Sequence, residues 1–215
     1  MDNTQAGYDA VAKRYADQFL GELADKPLDR ALLDLVVSAV DGLGAIADIG
    51  CGPGHVARYL HDRGARTIGL DLSPGMIGTA RAAHPAVDFQ VADMRRLPFP
   101  DDAWGGIVAL YSIIHIAPTE LAAVFNEFSR ILRPGGTVLV SFHVGDELRH
   151  VEEMLGSPVD LDFQFYRRGF VEGSLQSAGF VLSAYIERQP YPHEVATLRG
   201  YLLAALPRAP KLPQP

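Results

Sequence analysis

The segment Asp48-Ile49-Gly50-Cys51-Gly52-Pro53-Gly54 limits what this chain can become more than any other. It follows a short apolar run, residues 46–49, and opens a helical pattern over 55–63 that ends at Gly64. Three glycines at alternate positions permit a tight turn in which the main chain comes close to a ligand, because side chains there would block the approach. A plain strand-to-helix turn needs one glycine, so the other two point to a ligand held through backbone atoms. Cys51 lies inside the turn and, with no activating neighbour, reads as a small buried filler rather than a nucleophile. As the sole cysteine it also rules out an internal disulfide and a cysteine-based metal site, and no metal is expected.

From residue 46 onward short apolar runs alternate with helical patterns, the signature of a sheet built by right-handed crossovers. Candidate strands are 46–49, 67–70, 87–91, 107–110 and 137–142, with a later one at 180–187. Ser73-Pro74 supplies an N-cap and a first-turn proline for a helix reaching about residue 83. A helix over 119–132 puts Leu121, Val124, Phe125, Phe128 and Leu132 on one face and stops at Arg133-Pro134-Gly135-Gly136; another spans 168–178 and ends at Gly179. Two further helical patterns precede the sheet, one carrying Tyr8, Val11, Ala12, Tyr15 and Phe19, the other Leu28, Leu32, Leu35, Val36 and Val40. Between the fifth strand and the last helix, 144–167 reads as an insertion, with a short helix over 147–155 followed by the alternating Val159, Leu161, Phe163 and Phe165. Residues 196–206 satisfy both periods, and Gly200 in their middle weakens a helix.

A chain of 215 residues suits one α/β domain, and 48% hydrophobic with 21% charged residues is a globular balance. We expect one domain over 1–206, with an N-terminal helical cap to about residue 41, and a flexible tail over 207–215 that is rich in proline. A net charge of −7 with no Lys/Arg run disfavours a nucleic-acid partner. Met1-Asp2-Asn3-Thr4-Gln5 lacks the basic and apolar regions of a signal peptide, and no apolar run is long enough for a membrane span. The expected location is the cytoplasm, with no membrane partner; the patterns assign no oligomeric state.

Asp71 ends the second candidate strand and Asp93 follows the third, which in an open sheet puts both at the carboxyl edge beside the glycine loop. One acid there can hold the two hydroxyls of a ribose, and the other can accept from an adenine amino group. With these residues in register, the chain closely resembles the class I S-adenosylmethionine-dependent methyltransferases of the small-molecule type, over roughly residues 8 to 205. Residues 46–54 resemble the family's first motif, Gly69-Leu70-Asp71-Leu72-Ser73 its ribose-binding segment, and Ala92-Asp93-Met94 its adenine-binding segment. Arg130 to Gly136 resemble its turn into the fifth strand. The resemblance implies a three-layer α/β sandwich with a Rossmann-like, mostly parallel seven-stranded sheet of order 3-2-1-4-5-7-6. Strand 7 is then antiparallel, which makes residues 196–206 that strand.

The resemblance further implies S-adenosylmethionine as cofactor, with S-adenosylhomocysteine as product and a small-molecule acceptor. Its cofactor set here is Asp48, Gly50, Cys51, Gly52, Gly54, Asp71, Leu72, Met76, Asp93, Met94 and Tyr111. A nicotinamide dinucleotide oxidoreductase shares the architecture, but its fingerprint wants glycine three residues after the second glycine, where this chain has His55. A catalytically silent cofactor-binding subunit is a rival of another kind, because methyl transfer asks few chemical groups of the protein. If the acceptor must lose a proton, a base helps. His115 and His143, which leave the fourth and fifth strands, are placed for that work, although either imidazole could instead bind loop backbone. In the family the leading helix often covers the cofactor, which assigns Tyr8, Tyr15 and Phe19 to a lid. Asp146, Arg149 and Tyr166 of the insertion are candidate acceptor contacts. Whether oxygen, nitrogen or carbon is methylated stays open at this stage.

Overall fold

Strands covered by helices on both faces are buried along their length rather than at alternate residues, and β1 shows this most plainly. In the computed structural model, which describes residues 3–208, helices α1 (Asn3–Phe19) and α2 (Pro27–Ala39) lead into β1 (Ile46–Ile49), buried at every position. There follow α3 (His55–Asp62), β2 (Thr67–Asp71), α4 (Pro74–Ala83), β3 (Asp88–Val91) and β4 (Trp104–Leu110). The chain continues through α5 (Pro118–Ile131), β5 (Leu132–His143), a hairpin of β6 (Leu148–Met154) and β7 (Ser157–Gln164), then α6 (Arg168–Ser177), β8 (Val181–Arg188) and β9 (Arg199–Ala205).

The large sheet has seven strands in the order β3-β2-β1-β4-β5-β9-β8, and β6 and β7 pair only with each other. Numbered without the hairpin, this is the order 3-2-1-4-5-7-6. The first five strands run parallel, and β9 is antiparallel to both β5 and β8. The ambiguous segment is therefore a strand. Gly200 suits it, since a Cβ there would meet the Phe142 ring at 2.9 Å.

Side-chain alternation sends β4 to two cores: Ile107 and Ala109 join Phe125, Phe128 and Leu175 of α5 and α6, whereas Val108 joins Leu33, Val36 and Leu60 of α2 and α3. Each such fully buried side chain contributes about 1.5–3 kcal/mol. Ser73 caps α4 as its sequence suggests, accepting from the Met76 N–H at 3.0 Å, with Pro74 in the first turn. The helix before β5 ends at Ile131, and Leu132 already belongs to the strand.

The helix expected over 147–155 is instead strand β6. The decisive element is the two-residue turn Leu155-Gly156, with φ of 52° and 70°, which closes Met154 onto Ser157. Two successive left-handed residues match the right-handed twist of a hairpin. The hairpin's inner side packs on α1, where Met154 and Val159 meet the cluster of Val11, Ala12 and Met76. Among the described residues no helix is long and apolar enough to cross a membrane. The proline-rich tail lies outside the described residues from 209 onward.

Candidate active site

All three glycines of the first loop adopt positive φ: Gly50 at 75°, Gly52 at 53° and Gly54 at 85°. Their neighbours differ. A Cβ on Gly50 would lie 2.2 Å from Ser112 Cβ, and one on Gly54 would lie 2.6 Å from the Phe89 ring, so these two let the loop pack. A Cβ on Gly52 would meet nothing nearer than Tyr15 at 3.9 Å. Gly52 is the point where backbone is open to a ligand. Its N–H donates to Asp71 Oδ2 at 2.8 Å, and the Ser73 N–H donates to Oδ1 at 2.9 Å, so the carboxylate is fixed between the loop and the start of α4. Burial pushes the Asp71 carboxyl up, and these N–H groups oppose it.

A cleft runs along the carboxyl edge of β1, β2, β3 and β4, enclosing about 1150 Å³ including its open mouth. Asp48, Gly50, Cys51, Gly52, Asp71, Leu72, Met76, Asp93, Met94 and Tyr111 all line it. Gly54 does not; it turns the chain into α3 instead. The lining is rich in acids, with Glu22 and Asp29 added to Asp48, Asp71 and Asp93. Three polar atoms of its lining residues, Asp48 Oδ2, His55 Nδ1 and Ser112 Oγ, are buried with no hydrogen-bond partner. Burial pushes the Asp48 carboxyl up to about 8, and neighbouring Asp71 adds to the shift. Such walls suit a ligand that brings hydroxyls, an amino group and positive charge. Tyr111 carries backbone strain here, at φ 50°, its N–H held by Ser141 and its hydroxyl 2.7 Å from that of Tyr201.

Helix α1 roofs the cleft. Asp9 accepts from the Gly75 N–H at 2.8 Å and from Ser73 Oγ, which seats the helix on the N-terminus of α4. On its other flank Arg14 donates to the Leu155 carbonyl and to Ser157, and Asn3 to Asp160, tying it to the hairpin. Tyr8 and Tyr15 face the cleft beneath, 5.9 Å apart edge to face. Phe19 packs on Tyr15 at 4.4 Å and stays outside the lining.

The family model described as "Methyltransferase domain" matches residues 46–136, the stretch holding the glycine loop, Asp71 and Asp93. The malonyl-[acyl-carrier protein] O-methyltransferase of Serratia marcescens is 35% identical over 96 residues, 45% of this chain and 37% of that protein. The chain thus spans just over a third of the length of that relative in the match. Among solved structures, the CcbJ methyltransferase of Streptomyces caelestis matches with TM-score 0.71 at 18% identity, over 96% of this chain and 100% of that one. The magnesium protoporphyrin IX methyltransferase of Synechocystis PCC 6803, solved with bound S-adenosylmethionine, matches with TM-score 0.68 at 17% identity, over 96% and 98%. Residues 46–136 thus match the methyltransferase-domain family, and the fold is that of the methyltransferases.

Of the two histidines expected beside an acceptor, only His115 lines the cleft. His143 corrects that expectation. It lies behind Tyr111, 5.5 Å away, stacked on Phe165 at 5.1 Å. Thr197 Oγ1 accepts from Arg199 and lies 2.8 Å from His143 Nδ1. Burial, with the charges of Arg199 and Arg149, pushes the imidazole down to about 4. The insertion residues are also elsewhere: Asp146 pairs with Arg167, and Arg149 pairs with Glu147 at 2.7 Å over the Phe165 ring. Tyr166 is buried and donates to the Ile116 carbonyl. Conversely, the cleft holds groups the motifs do not mark. Glu22 accepts from Lys26 at 2.7 Å and pairs with His55 at 2.9 Å, and Arg95 grips Asp93 through its backbone N–H and its guanidinium at 2.8–3.0 Å. Burial alone would raise the Glu22 carboxyl, but His55 and Lys26 outweigh it and hold it down.

Proposed function

We propose that this chain transfers the methyl group of S-adenosylmethionine to a small-molecule acceptor that enters beneath α1, beside Tyr8 and His115. The observation that carries the reading is that one cleft holds two chemistries. Asp71, Asp93 and the open backbone of Gly52 line it together with Tyr8, Tyr111 and His115.

In this reading Asp71 holds the ribose hydroxyls, Asp93 accepts from the adenine amino group, and Met94 borders the ring. Bound S-adenosylmethionine supplies an electrophilic methyl on a sulfonium, so the protein's share is alignment. Holding acceptor and methyl in line contributes on the order of 7 kcal/mol or more in favourable cases. Tyr8, Tyr15 and α1 close the site from above and keep water from competing. Residues 1–206 act as one methyltransferase unit in which the N-terminal helices and the hairpin are additions around the sheet.

The test is incubation with methyl-labelled S-adenosylmethionine and a small-molecule library, followed by mass spectrometry. Transfer of the label to a library member is the expected result. A protein that binds S-adenosylmethionine yet labels none of the library would be read as a silent cofactor-binding subunit.

A further inference from the structure

Three groups from three separate elements meet at the cleft. Tyr8 of α1 has its hydroxyl 2.7 Å from His115 Nε2, and His115 Nδ1 lies 2.9 Å from the carbonyl oxygen of Asp162 in β7. A carbonyl oxygen can only accept, so Nδ1 carries the proton. In a neutral imidazole Nε2 then offers a lone pair. With the imidazole neutral, the contact with Tyr8 is a bond from the tyrosine O–H to Nε2. With its own proton committed, the Tyr8 oxygen is left as an acceptor.

The surroundings hold this arrangement. The side chain of Asp162 is engaged by His150 at 2.8 Å, which leaves its main-chain carbonyl to fix the His115 tautomer. Tyr8 and Phe163 meet the His115 ring edge to face at 5.2 and 4.8 Å, setting its plane from two sides. Burial, with Tyr15 and Asp71 nearby, raises the Tyr8 phenol well above its ordinary range, so it keeps its proton at neutral pH. Both side chains line the cleft that the cofactor shares.

We propose that Tyr8 and His115 form a two-residue proton relay, and that the acceptor is accordingly protic, a hydroxyl or an N–H group that loses a proton as its heteroatom is methylated. This rests on the methyl-transfer reading above. As the acceptor oxygen or nitrogen bonds to the methyl carbon, the carbon–sulfur bond breaks and its electron pair stays on sulfur. The acceptor's proton passes to the Tyr8 oxygen while the Tyr8 proton moves to Nε2. His115 becomes an imidazolium whose Nδ1–H still rests on the Asp162 carbonyl, and it later returns the extra proton to water. A carboxylate acceptor has no proton for such a relay.

The test begins with nitrogen NMR of histidine-labelled protein saturated with S-adenosylhomocysteine. We expect His115 as the Nδ1–H tautomer, with Tyr8→Phe shifting the Nε2 resonance and leaving Nδ1 in place. With the acceptor found in the labelling screen, Tyr8→Phe and His115→Gln should each lower kcat by about 10²-fold and leave S-adenosylhomocysteine affinity within a few-fold. An Nε2–H tautomer in the parent, parental turnover by both variants, or a carboxylate or carbon acceptor would each overturn the relay. Failure of the parent to bind S-adenosylhomocysteine at all would instead sink the cofactor assignment, and the two failures are distinct.

Discussion

Asp71 is held by two backbone N–H groups, which on the proposed reading orients its carboxylate for a ribose. Asp71→Ala removes a charged acceptor from two hydroxyls, each bond worth about 1.5–3 kcal/mol. Calorimetry should show affinity for S-adenosylmethionine falling more than tenfold, with circular dichroism unchanged; parental affinity in a folded variant would place the ribose elsewhere. Asp48 makes a prediction about pH. Its folded carboxyl titrates near 8 against an ordinary 3.8, so the folded state binds the extra proton between those values. Its contribution to stability is full below about 3.8 and is lost as pH rises towards 8. Urea titrations at pH 5 and pH 8 should therefore show Asp48→Asn gaining on the parent at the higher pH; an equal difference at both values would mean that the carboxyl is not buried as a neutral acid. At this scale strand ends made Asp71, Asp93 and His115 readable, because parallel strands deliver their last residues to one edge. The same rule misplaces His143, since β5 runs on beside antiparallel β9, pairing His143 with Arg199. Glu22, Lys26 and Asp29 could not be read that way: they come from the helical segment before the sheet, and periodicity says nothing of where that segment docks.

Helix α1 depends on Asp9 for its seat, through two hydrogen bonds to the first turn of α4. Asp9→Ala leaves the Gly75 N–H without its acceptor at a part-buried site. The cost is about 1–3 kcal/mol, felt where α1 meets α4. Hydrogen exchange should show faster exchange across α1 and little change in β1, β4 and β5; uniform change across the sheet would mean that the helix is part of one cooperative core. The hairpin shows why elements were unequally legible. Leu148, Val151 and Leu155 fall at helical spacing, while the turn that makes the segment a strand is Leu155-Gly156, without the Asn-Gly or Asp-Gly pair that announces such turns. The parallel strands were clear because each is a short apolar run between punctuated helices. The period of 196–206 decided nothing, and β9 takes its direction from the partners on either side.

For the whole molecule, a ligand that binds only the folded chain raises stability by about 2.7 kcal/mol at a hundred times its Kd. S-adenosylhomocysteine should raise the Tm accordingly, while nicotinamide dinucleotides at the same concentration should leave it unmoved; an equal rise with a dinucleotide would contradict the proposed reading of the cleft. The sheet order places Gly52, Asp71, Asp93 and Tyr111, all proposed cofactor contacts, at or just beyond the ends of β1, β2, β3 and β4. The wall that reaches His115 from the far side belongs to a hairpin pairing with no strand of that sheet. A ribbon attached in this way can be lengthened, trimmed or exchanged without costing any sheet strand a neighbour. On the proposed reading, descendants of such a chain can drift in what they modify while the glycine loop, Asp71 and Asp93 keep their hold on the donor.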